Sequence, residues 1–175
     1  MQRRFNDFDA VYRQYRPCYD NGRWSGREYW LHIFRHYNLE PNDRDIARLI
    51  RDDVASWMHI NKPVIRFVQD CKRKAITLAI ISNMPRDLLV HIEAHAQWLN
   101  LFDASVFSCN VGINKPAGDI YALCLDRLGL SPDECLFVDD SHENVRGARA
   151  AGMASIQFTT LADLLPQLAG YGLIE

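Results

Sequence analysis

The sequence predicts an α/β fold, a doubly wound parallel sheet with a small α-helical module in front of it. Two patterns lead to this prediction. From about residue 61 onward, short apolar runs alternate with segments of helical periodicity, as expected for parallel strands joined by crossover helices. Residues 6 to about 58 show helical periodicity throughout. We therefore predict two domains, a helical one in residues 1–60 and an α/β one in residues 61–175.

Three helices are predicted in the first domain, and each has a recognisable start. Asn6 or Asp7 can cap the first helix. Ser25 and Glu28 form a capping box at the start of the second helix, which is rich in aromatic residues. The third helix follows a break at residues 41–43 and carries apolar residues at helical spacing. We expect this domain to consist of helices only.

The α/β domain is predicted to contain four strands, each followed by a helix. Pro63 suits the first turn of the helix that opens the domain, because the N–H that proline lacks has no helical partner there. The predicted strands are residues 76–81, 105–108, 135–140 and 154–158. The helices that follow them are predicted at residues 85–98, from 115, with Asn144 in the first turn of the third, and at 161–168. Helices between all strands would cover both faces of the sheet.

The composition excludes several classes of function. The 175 residues are 48% hydrophobic, enough to bury a substantial core, and a formal net charge of -2 provides no basic surface for nucleic acid. The apolar runs are far too short to span a membrane, and the N-terminus lacks the apolar segment of a secretory signal. We therefore expect a soluble, cytoplasmic monomer or homodimer without nucleic-acid or membrane partners.

The spacing of cysteine and histidine indicates neither a disulfide framework nor a zinc site. The five cysteines are irregularly spaced, so we expect reduced, packed thiols. Two histidine pairs, His32/His36 and His91/His95, have the i, i+4 spacing of a helix face. Neither pair has the sequence of a zinc protease or an evident third ligand, so we interpret both as surface or packing residues.

Two adjacent carboxylates, Asp139 and Asp140, end the third predicted strand. Ligands of open α/β sheets bind at this edge. Neighbouring carboxylates there repel each other, so they persist only if a cation or strong hydrogen-bond donors neutralise them. Ligands that are all oxygen favour a hard ion, above all Mg²⁺. The alternative interpretation is a solvated strand end before a helix N-terminus, where acidic residues are favoured in any case.

Polar residues also stand at the ends of the first two predicted strands. Ser82 and Asn83 follow the first strand, and Lys115 precedes the helix after the second. A hydroxyl and the N–H groups of a helix N-terminus can hold phosphate oxygens, and an ammonium group offsets the charge of a phosphoryl group. Each residue alone could equally be a helix cap or a solvated side chain. Together with the carboxylate pair, their order favours a phosphate site.

In these motifs the chain resembles the haloacid dehalogenase superfamily, and within it the phosphatase-like members with a helical cap. The residues that carry the resemblance are Ile80-Ile-Ser82-Asn83, Asn114-Lys115-Pro116, and Phe137-Val-Asp139-Asp140 with Asn144. The resemblance implies that Ser82 and Lys115 are catalytic. It also implies that Ser82, Asn83 and Lys115 bind the phosphoryl group.

The resemblance further implies a metal site and a substrate-selecting cap. Asp140 would ligate Mg²⁺, Asp139 would be a second ligand or a partner of the ligands, and Asn144 would support them. The helical residues 1–60 would form the cap. Its candidate substrate contacts, each with core packing or a solvated helix face as the alternative, are Tyr12, Arg13, Tyr15, Arg16 and Trp24.

One motif of the superfamily has no convincing counterpart in the chain. The first strand of the family ends in Asp-x-Asp, and its first aspartate is the nucleophile. Asp7-Phe-Asp9 has these letters, but polar residues precede it and helical periodicity follows, so we do not expect Asp7 to be the nucleophile. We expect the central first strand to be missing, which would leave the strands ending at Ser82 and Asp140 unpaired on facing edges. The chain would then either fold poorly or repair the gap by pairing its two halves, by dimerising or by recruiting another segment.

The leading prediction is a Mg²⁺-dependent phosphohydrolase that acts on a small phosphorylated metabolite, such as a sugar phosphate, through an aspartyl-phosphate. The alternative from another class is a non-catalytic domain that keeps the phosphate and metal groups. A haloacid dehalogenase needs no metal and is disfavoured by the Asp139-Asp140 pair, and a phosphomutase stays open. Turnover of a phosphomonoester would separate an enzyme from a binding domain.

Overall fold

The computed structural model describes residues 6–174, so the predictions made for Met1–Phe5, including the absence of a secretory signal, lie outside the described residues. This range contains nine α-helices and four strands. The helices are α1 (Phe8–Asp20), α2 (Gly26–His36), α3 (Asp43–Ser56), α4 (Lys62–Arg73), α5 (Arg86–His95), α6 (Ser108–Val111), α7 (Gly118–Leu128), α8 (His142–Ala150) and α9 (Leu161–Gly170). The strands are β1 (Ala79–Ser82), β2 (Ala104–Phe107), β3 (Leu136–Asp139) and β4 (Ala154–Gln157). None of the described helices has the length and apolar character needed to cross a membrane.

The order of the elements confirms the predicted helical start followed by α/β alternation, with several shifted boundaries. β1 begins at Ala79 rather than at residue 76, because the N–H of Leu78 is bound by the Asp103 carboxylate at 2.9 Å and does not join a strand ladder. α5 ends at His95, and a 3₁₀ turn at Gln97–Leu101 replaces its predicted last turn.

The elements group into two compact units. The first unit contains the residues up to His59, Asn83–Ala96 and Phe107–Asn114. The second contains Ile60–Ser82, Gln97–Val106 and the residues from Lys115 onward. The two-domain division predicted from the sequence, residues 1–60 and 61–175, stays a prediction.

Aromatic residues form much of the core of the first unit. Tyr19 and Tyr29 are almost fully buried, and their rings stack with centroids 4.7 Å apart. Trp30 packs edge-on against Tyr29 at 5.4 Å. The capping box predicted for Ser25 and Glu28 is confirmed at the start of α2. Because each aromatic side chain buries a large apolar area, a few short helices suffice to enclose this core.

A buried ion cluster links α1 and α3 within the first unit. Arg16 donates to both carboxylate oxygens of Asp53, at 3.1 Å each, and to Asp20 at 2.7 Å. The Tyr12 hydroxyl accepts a hydrogen bond from Arg16 and donates to Asp53 at 2.5 Å. Burial raises the pKa of the Asp20 carboxyl, and burial with the hydrogen bond to Asp53 raises the pKa of Tyr12 to about 12. We call these four residues the Arg16 cluster.

The strands form two separate pairs. β3 and β4 are parallel, with Leu136 opposite Ala154 and Asp139 opposite Gln157. β1 is hydrogen-bonded to β2, and within residues 6–174 no strand joins the two pairs. The predicted α/β fold with parallel strands is therefore confirmed. In this range β1 and β3 each have one paired edge only.

The two strands with an unpaired edge in the described range, β1 and β3, are incompletely buried. The sequence predicts buried strands, yet all residues of β1, including Ile80 and Ile81, are half-buried, and Val138 of β3 is 36% exposed. In a parallel sheet, apolar side chains such as these are normally buried on both faces. The exposure of these residues agrees with an open position beside each strand.

Candidate catalytic site

A buried ion pair between Lys115 and Asp139 is the centre of the candidate site. The Lys115 Nζ lies 2.6 Å from Oδ2 of Asp139 and donates a second hydrogen bond to the carbonyl oxygen of Ile81 at 2.8 Å. The two charged side chains are only 9% and 7% exposed. Because Ile81 belongs to β1 and Asp139 ends β3, a single ammonium group links the two strand pairs.

Donors hold Asp139 on both of its carboxylate oxygens. While Oδ2 accepts from Lys115, Oδ1 accepts from the backbone N–H of Ser141 and from the side-chain amide of Asn144, each at 2.9 Å. Ser141 also caps α8, since its hydroxyl accepts from the N–H of Asn144. A buried ion pair is stable only when its remaining lone pairs find donors, and these bonds supply them. The structure thus brings the predicted site residues Lys115, Asp139 and Asn144 together.

Asp140 has a different environment, although it is the next residue. Its side chain is exposed, and its backbone carbonyl accepts a hydrogen bond from the Gln157 amide at 3.0 Å. Its carboxylate forms no hydrogen bond or ion pair with any other residue in the described range. This carboxylate is therefore available to a ligand from solvent.

The donor set fits a Mg²⁺ ion through Asp140. Mg²⁺ prefers six oxygen ligands and is commonly held by one or two carboxylates, with waters and substrate phosphate completing the shell. The free oxygens of Asp140 suit this arrangement, whereas those of Asp139 are already engaged. Across residues 6–174, no group of three or more His, Cys, Asp or Glu side chains could hold a metal alone. The metal roles predicted for Asp140, Asp139 and Asn144 stay predictions.

The two residues predicted to bind phosphate beside Lys115 occupy different positions. Ser82 is the last residue of β1 and directly follows the Ile81 carbonyl that accepts from Lys115, so it lies at the same strand end. Its hydroxyl has no hydrogen bond to Lys115 or Asp139 in the described part of the chain. Asn83 belongs to the first unit. The phosphate-binding roles of both residues stay predictions.

Phe137 and Gly147 lie close to the ion pair or to the segment that follows Lys115. The Lys115 Nζ lies 5.6 Å from the centre of the Phe137 ring. Gly147 of α8 is so close to the segment after Lys115 that an added Cβ would come within 2.7 Å of the Pro116 carbonyl oxygen. Gly147 belongs to a run of small residues in α8, and the structure shows that its close contact is with Pro116.

Tyr121 is a further supporting residue that sequence reasoning missed. It is fully buried in the first turn of α7, which begins at Gly118, later than predicted. Its hydroxyl donates to the carbonyl oxygen of Asn144 at 2.8 Å. Burial, with the negative charge of Asp139, raises the pKa of Tyr121 to about 12, so the hydroxyl remains a donor at neutral pH. Tyr121 precedes the buried Cys124 by three residues, and this helical spacing was the sequence signal that Tyr121 lies on the buried face of α7.

Asp7 and Asp9, which have the letters of the family's first motif, lie at the start of α1. Asp7 is the N-cap residue, but its carboxylate makes no capping hydrogen bond and instead accepts from the Tyr37 hydroxyl at 2.9 Å. Asp9 pairs with Arg13 on an exposed helix face at 3.1 Å. Both carboxylates therefore stand in a helical environment, and no strand precedes β1 in the range that the structure describes.

The other side chains considered as substrate contacts have partners within the first unit. Tyr12 and Arg16 belong to the Arg16 cluster. Trp24 stacks on His32 with ring centroids 4.0 Å apart, and Tyr15 packs against Trp24 at 5.9 Å. These contacts agree with the packing alternative for those residues.

Comparison with known proteins identifies the family. A family model described as haloacid dehalogenase-like hydrolase matches residues 5–152. Bifunctional epoxide hydrolase 2 of Rattus norvegicus is 31% identical over 134 residues, which are 73% of this chain and 24% of that protein. The Escherichia coli fructose-1-phosphate phosphatase YqaB is 37% identical over 68 residues, 39% of this chain and 36% of that protein. The chain therefore spans well under two thirds of the length of either relative.

Solved structures share the fold. A HAD family enzyme from Bacteroides thetaiotaomicron, in complex with magnesium and inorganic phosphate, superposes with a TM-score of 0.66 at 17% sequence identity, covering 85% of this chain and 77% of that chain. At this identity the similarity establishes the fold alone. The family match, in contrast, includes the residues of β1, Lys115 and the Asp139-Asp140 pair. This chain belongs to the haloacid dehalogenase-like hydrolase family.

Proposed function

We propose that this chain forms the phosphate-binding part of a Mg²⁺-dependent phosphohydrolase that acts on a small phosphorylated metabolite, such as a sugar phosphate. The observation that carries the proposal is the buried Lys115 ammonium, fixed between Ile81 and Asp139, with the free carboxylate of Asp140 on the next residue. Phosphoryl transfer needs such fixed charges, because they require no rearrangement as negative charge develops. The names of the E. coli phosphatase and the magnesium–phosphate complex of the Bacteroides enzyme support this class of ligand.

Each residue of the site has a role in this proposal. Lys115 donates to the phosphoryl oxygens, and Ser82 and Asn83 bind the same group at the end of β1. Asp139 holds Lys115 in place, and Asn144 holds Asp139. Mg²⁺ bound at Asp140 would neutralise part of the phosphate charge.

The proposed reaction also requires a nucleophilic carboxylate next to Lys115. By the family resemblance, an aspartate oxygen attacks phosphorus, the ester P–O bond breaks, and the alcohol leaves with a proton from a general acid. Water then cleaves the aspartyl-phosphate, which releases phosphate and restores the carboxylate. Asp139 does not suit this role because it accepts three hydrogen bonds. We propose that the nucleophile ends a strand in the open position beside β1 and β3.

The same open position favours a second candidate function, a non-catalytic domain that binds phosphorylated ligands without turnover. Such a domain would keep the ion pair of Lys115 and Asp139 and the free carboxylate of Asp140 for binding alone. Both candidates predict that Mg²⁺ and inorganic phosphate bind. Only the phosphohydrolase also predicts the release of phosphate from a phosphomonoester.

Phosphate release tests the proposal, and it is measured on the protein that includes any strand joined to these 175 residues in its natural source. Wild type and Lys115→Met are assayed with 4-nitrophenyl phosphate and a panel of sugar phosphates, with and without MgCl₂, and the binding of Mg²⁺ and inorganic phosphate is measured by calorimetry. We expect release that depends on Mg²⁺ and is lost in the variant. Binding without release would favour the non-catalytic domain, and the absence of both would refute both candidates.

The source of the nucleophile has its own experiment. Intact mass and N-terminal sequencing of the protein from its natural source show whether an apolar strand ending in Asp-x-Asp is joined to these 175 residues. Its presence would support the phosphohydrolase, whereas a mass equal to that of this chain would favour the binding domain.

A further inference from the structure

We propose that Tyr121 is a positioning residue of the candidate site, which aligns the Lys115–Asp139 pair through Asn144 and Phe137. The expected effect on kcat rests on the proposed function. The alignment of the ion pair does not, because it can be measured without turnover. Tyr121 is fully buried, and none of the roles assigned above to phosphate or metal binding includes it.

The first route runs through Asn144. The Tyr121 hydroxyl donates to the Asn144 backbone carbonyl at 2.8 Å, and the Asn144 side chain donates to Oδ1 of Asp139 at 2.9 Å. Within a helix, the carbonyl of Asn144 can accept from the N–H four residues later without any help from Tyr121. The tyrosine hydroxyl therefore adds a second bond to a carbonyl that has its own helical partner. Its effect is to hold the start of α8 at one position relative to α7.

The second route runs through Phe137. The Tyr121 ring packs edge-on against the Phe137 ring, with centroids 5.2 Å apart and an interplanar angle of 86°. The face of Phe137 in turn lies 5.6 Å from the Lys115 Nζ, a cation–π contact. The Tyr121 side chain thus contacts Asn144, which holds Asp139, and Phe137, which packs against Lys115. Displacement of Tyr121 would move the carboxylate and the ammonium group together.

The two routes can be separated because Phe keeps one of them. Tyr121→Phe retains the ring on Phe137 and removes only the hydrogen bond to Asn144. A matched control is Tyr29→Phe, since the Tyr29 hydroxyl is also buried and donates to a helix carbonyl, that of Tyr12, at 2.9 Å. Both variants lose a buried hydroxyl that donates to a helix carbonyl, and the Tyr29 hydroxyl also contacts Arg16, but only Tyr121→Phe loses a bond of the candidate site.

The direct test is the NMR signal of the Asn144 side-chain amide in the full chain, labelled with ¹⁵N-asparagine and assigned with Asn144→Gln. We expect Tyr121→Phe to shift or broaden this signal, because the amide loses its fixed geometry toward Asp139. Tyr29→Phe should leave the signal unchanged. An unchanged signal in a folded Tyr121→Phe protein, or an equal change in both variants, would overturn the proposal.

The kinetic test uses the same variants with a phosphomonoester, in the protein that includes the proposed nucleophile strand. Small misplacements of catalytic groups can cost up to about 100-fold in rate, so we expect kcat to fall by about tenfold in Tyr121→Phe with KM nearly unchanged. The double variant Tyr121→Phe/Asn144→Ala should be no slower than Asn144→Ala alone, whereas additive losses would overturn the route through Asn144. If wild type shows no turnover, the proposed function fails, and the NMR result still decides the positioning role.

Discussion

The Arg16 cluster of the first unit and the Lys115–Asp139 pair of the second are similar in burial but differ in what surrounds them. The side chains of Arg16 and Asp53 are 12% and 4% exposed, close to the 9% and 7% of Lys115 and Asp139. Each cation donates to a buried carboxylate and makes further hydrogen bonds, Arg16 to Asp53, Asp20 and Tyr12, and Lys115 to Asp139 and the Ile81 carbonyl. Burial and charge alone would therefore mark either of them as a candidate site.

The difference lies in the second carboxylate of each cluster. In the first unit this is Asp20, which is bonded to Arg16 at 2.7 Å and has a pKa raised by burial. In the second unit it is Asp140, which is exposed and has no bonded partner for its carboxylate in the described range. The charged groups of the Arg16 cluster are bonded to one another, so none of them is left for a ligand. A free carboxylate beside a fixed cation is available to a ligand, and this feature distinguishes the candidate site.

The largest effect is expected from Lys115→Met. Methionine preserves the length of the side chain but leaves the Asp139 carboxylate buried without its cation. Removing one partner of a buried pair costs about 3–5 kcal/mol in the free energy of unfolding. Loss of a fixed donor to the phosphoryl group should lower phosphate release by about 10²–10³-fold. Urea unfolding at pH 7 and the phosphomonoester assay measure the two effects.

Lys72→Met is the matched control for that variant. Lys72 pairs with Asp103 at the surface of the second unit, where both side chains are 39% exposed. Exposed ion pairs contribute only about 0–1 kcal/mol, so stability and phosphate release should change little. Equal losses in the two variants would contradict the importance assigned to the buried pair.

Arg16→Met should separate stability from function. Breaking this buried cluster is expected to lower the free energy of unfolding by about 3–5 kcal/mol, because Asp20 and Asp53 lose their shared cation. The folded variant should bind inorganic phosphate with unchanged affinity. Arg13→Met is the control in the same helix, since its pair with Asp9 is 77% exposed on both sides and should matter little. Weakened phosphate binding in folded Arg16→Met would show that the Arg16 cluster is part of the site.

Gly147→Ala tests the close contact between α8 and Pro116, the residue after Lys115. The new Cβ would lie 2.7 Å from the Pro116 carbonyl oxygen and 2.8 Å from its Cβ, and a backbone segment cannot easily move away. Overpacking of this kind costs about 1–3 kcal/mol, and the shift of Pro116 should also weaken phosphate binding. Gly170→Ala is the control, because a Cβ added at Gly170 would have open space within 4 Å. It should be neutral or gain up to about 1 kcal/mol, and similar losses in both variants would argue against the contact.

The smallest effect on stability is expected from Asp140→Asn. An exposed side chain without partners should change the free energy of unfolding by no more than about 0.5 kcal/mol. Loss of its charge should nevertheless weaken Mg²⁺ binding by more than about tenfold, since carboxylate charge is the main attraction for this ion. Titration with Mg²⁺ measures the affinity, with exposed Glu143→Gln as the control for nonspecific binding. Undiminished Mg²⁺ binding would remove Asp140 from the proposed metal site.

Several elements of the fold could be predicted because their signals are local. The capping box of Ser25 and Glu28 acts within one helical turn, and the change in periodicity near residue 61 reflects which faces of each element are buried. Boundaries were wrong where a distant residue competes for the backbone, as Asp103 does for the N–H of Leu78. The separation of the strands into two pairs in the described range also depends on partners that periodicity does not reveal.

The motifs of the sequence are sufficient to predict the family of this chain and its candidate site residues Ser82, Lys115, Asp139 and Asp140. These follow from local motifs and from the rule that parallel strands present their carboxyl ends at one edge. The three-dimensional packing shows that the Asp139 carboxylate is occupied by hydrogen bonds and that the Asp140 carboxylate is exposed. Lys115 reaches Asp139 from 24 residues away, and Tyr121 reaches Asn144 from another helix. Such contacts depend on how separate elements pack, and no local pattern of residues encodes them.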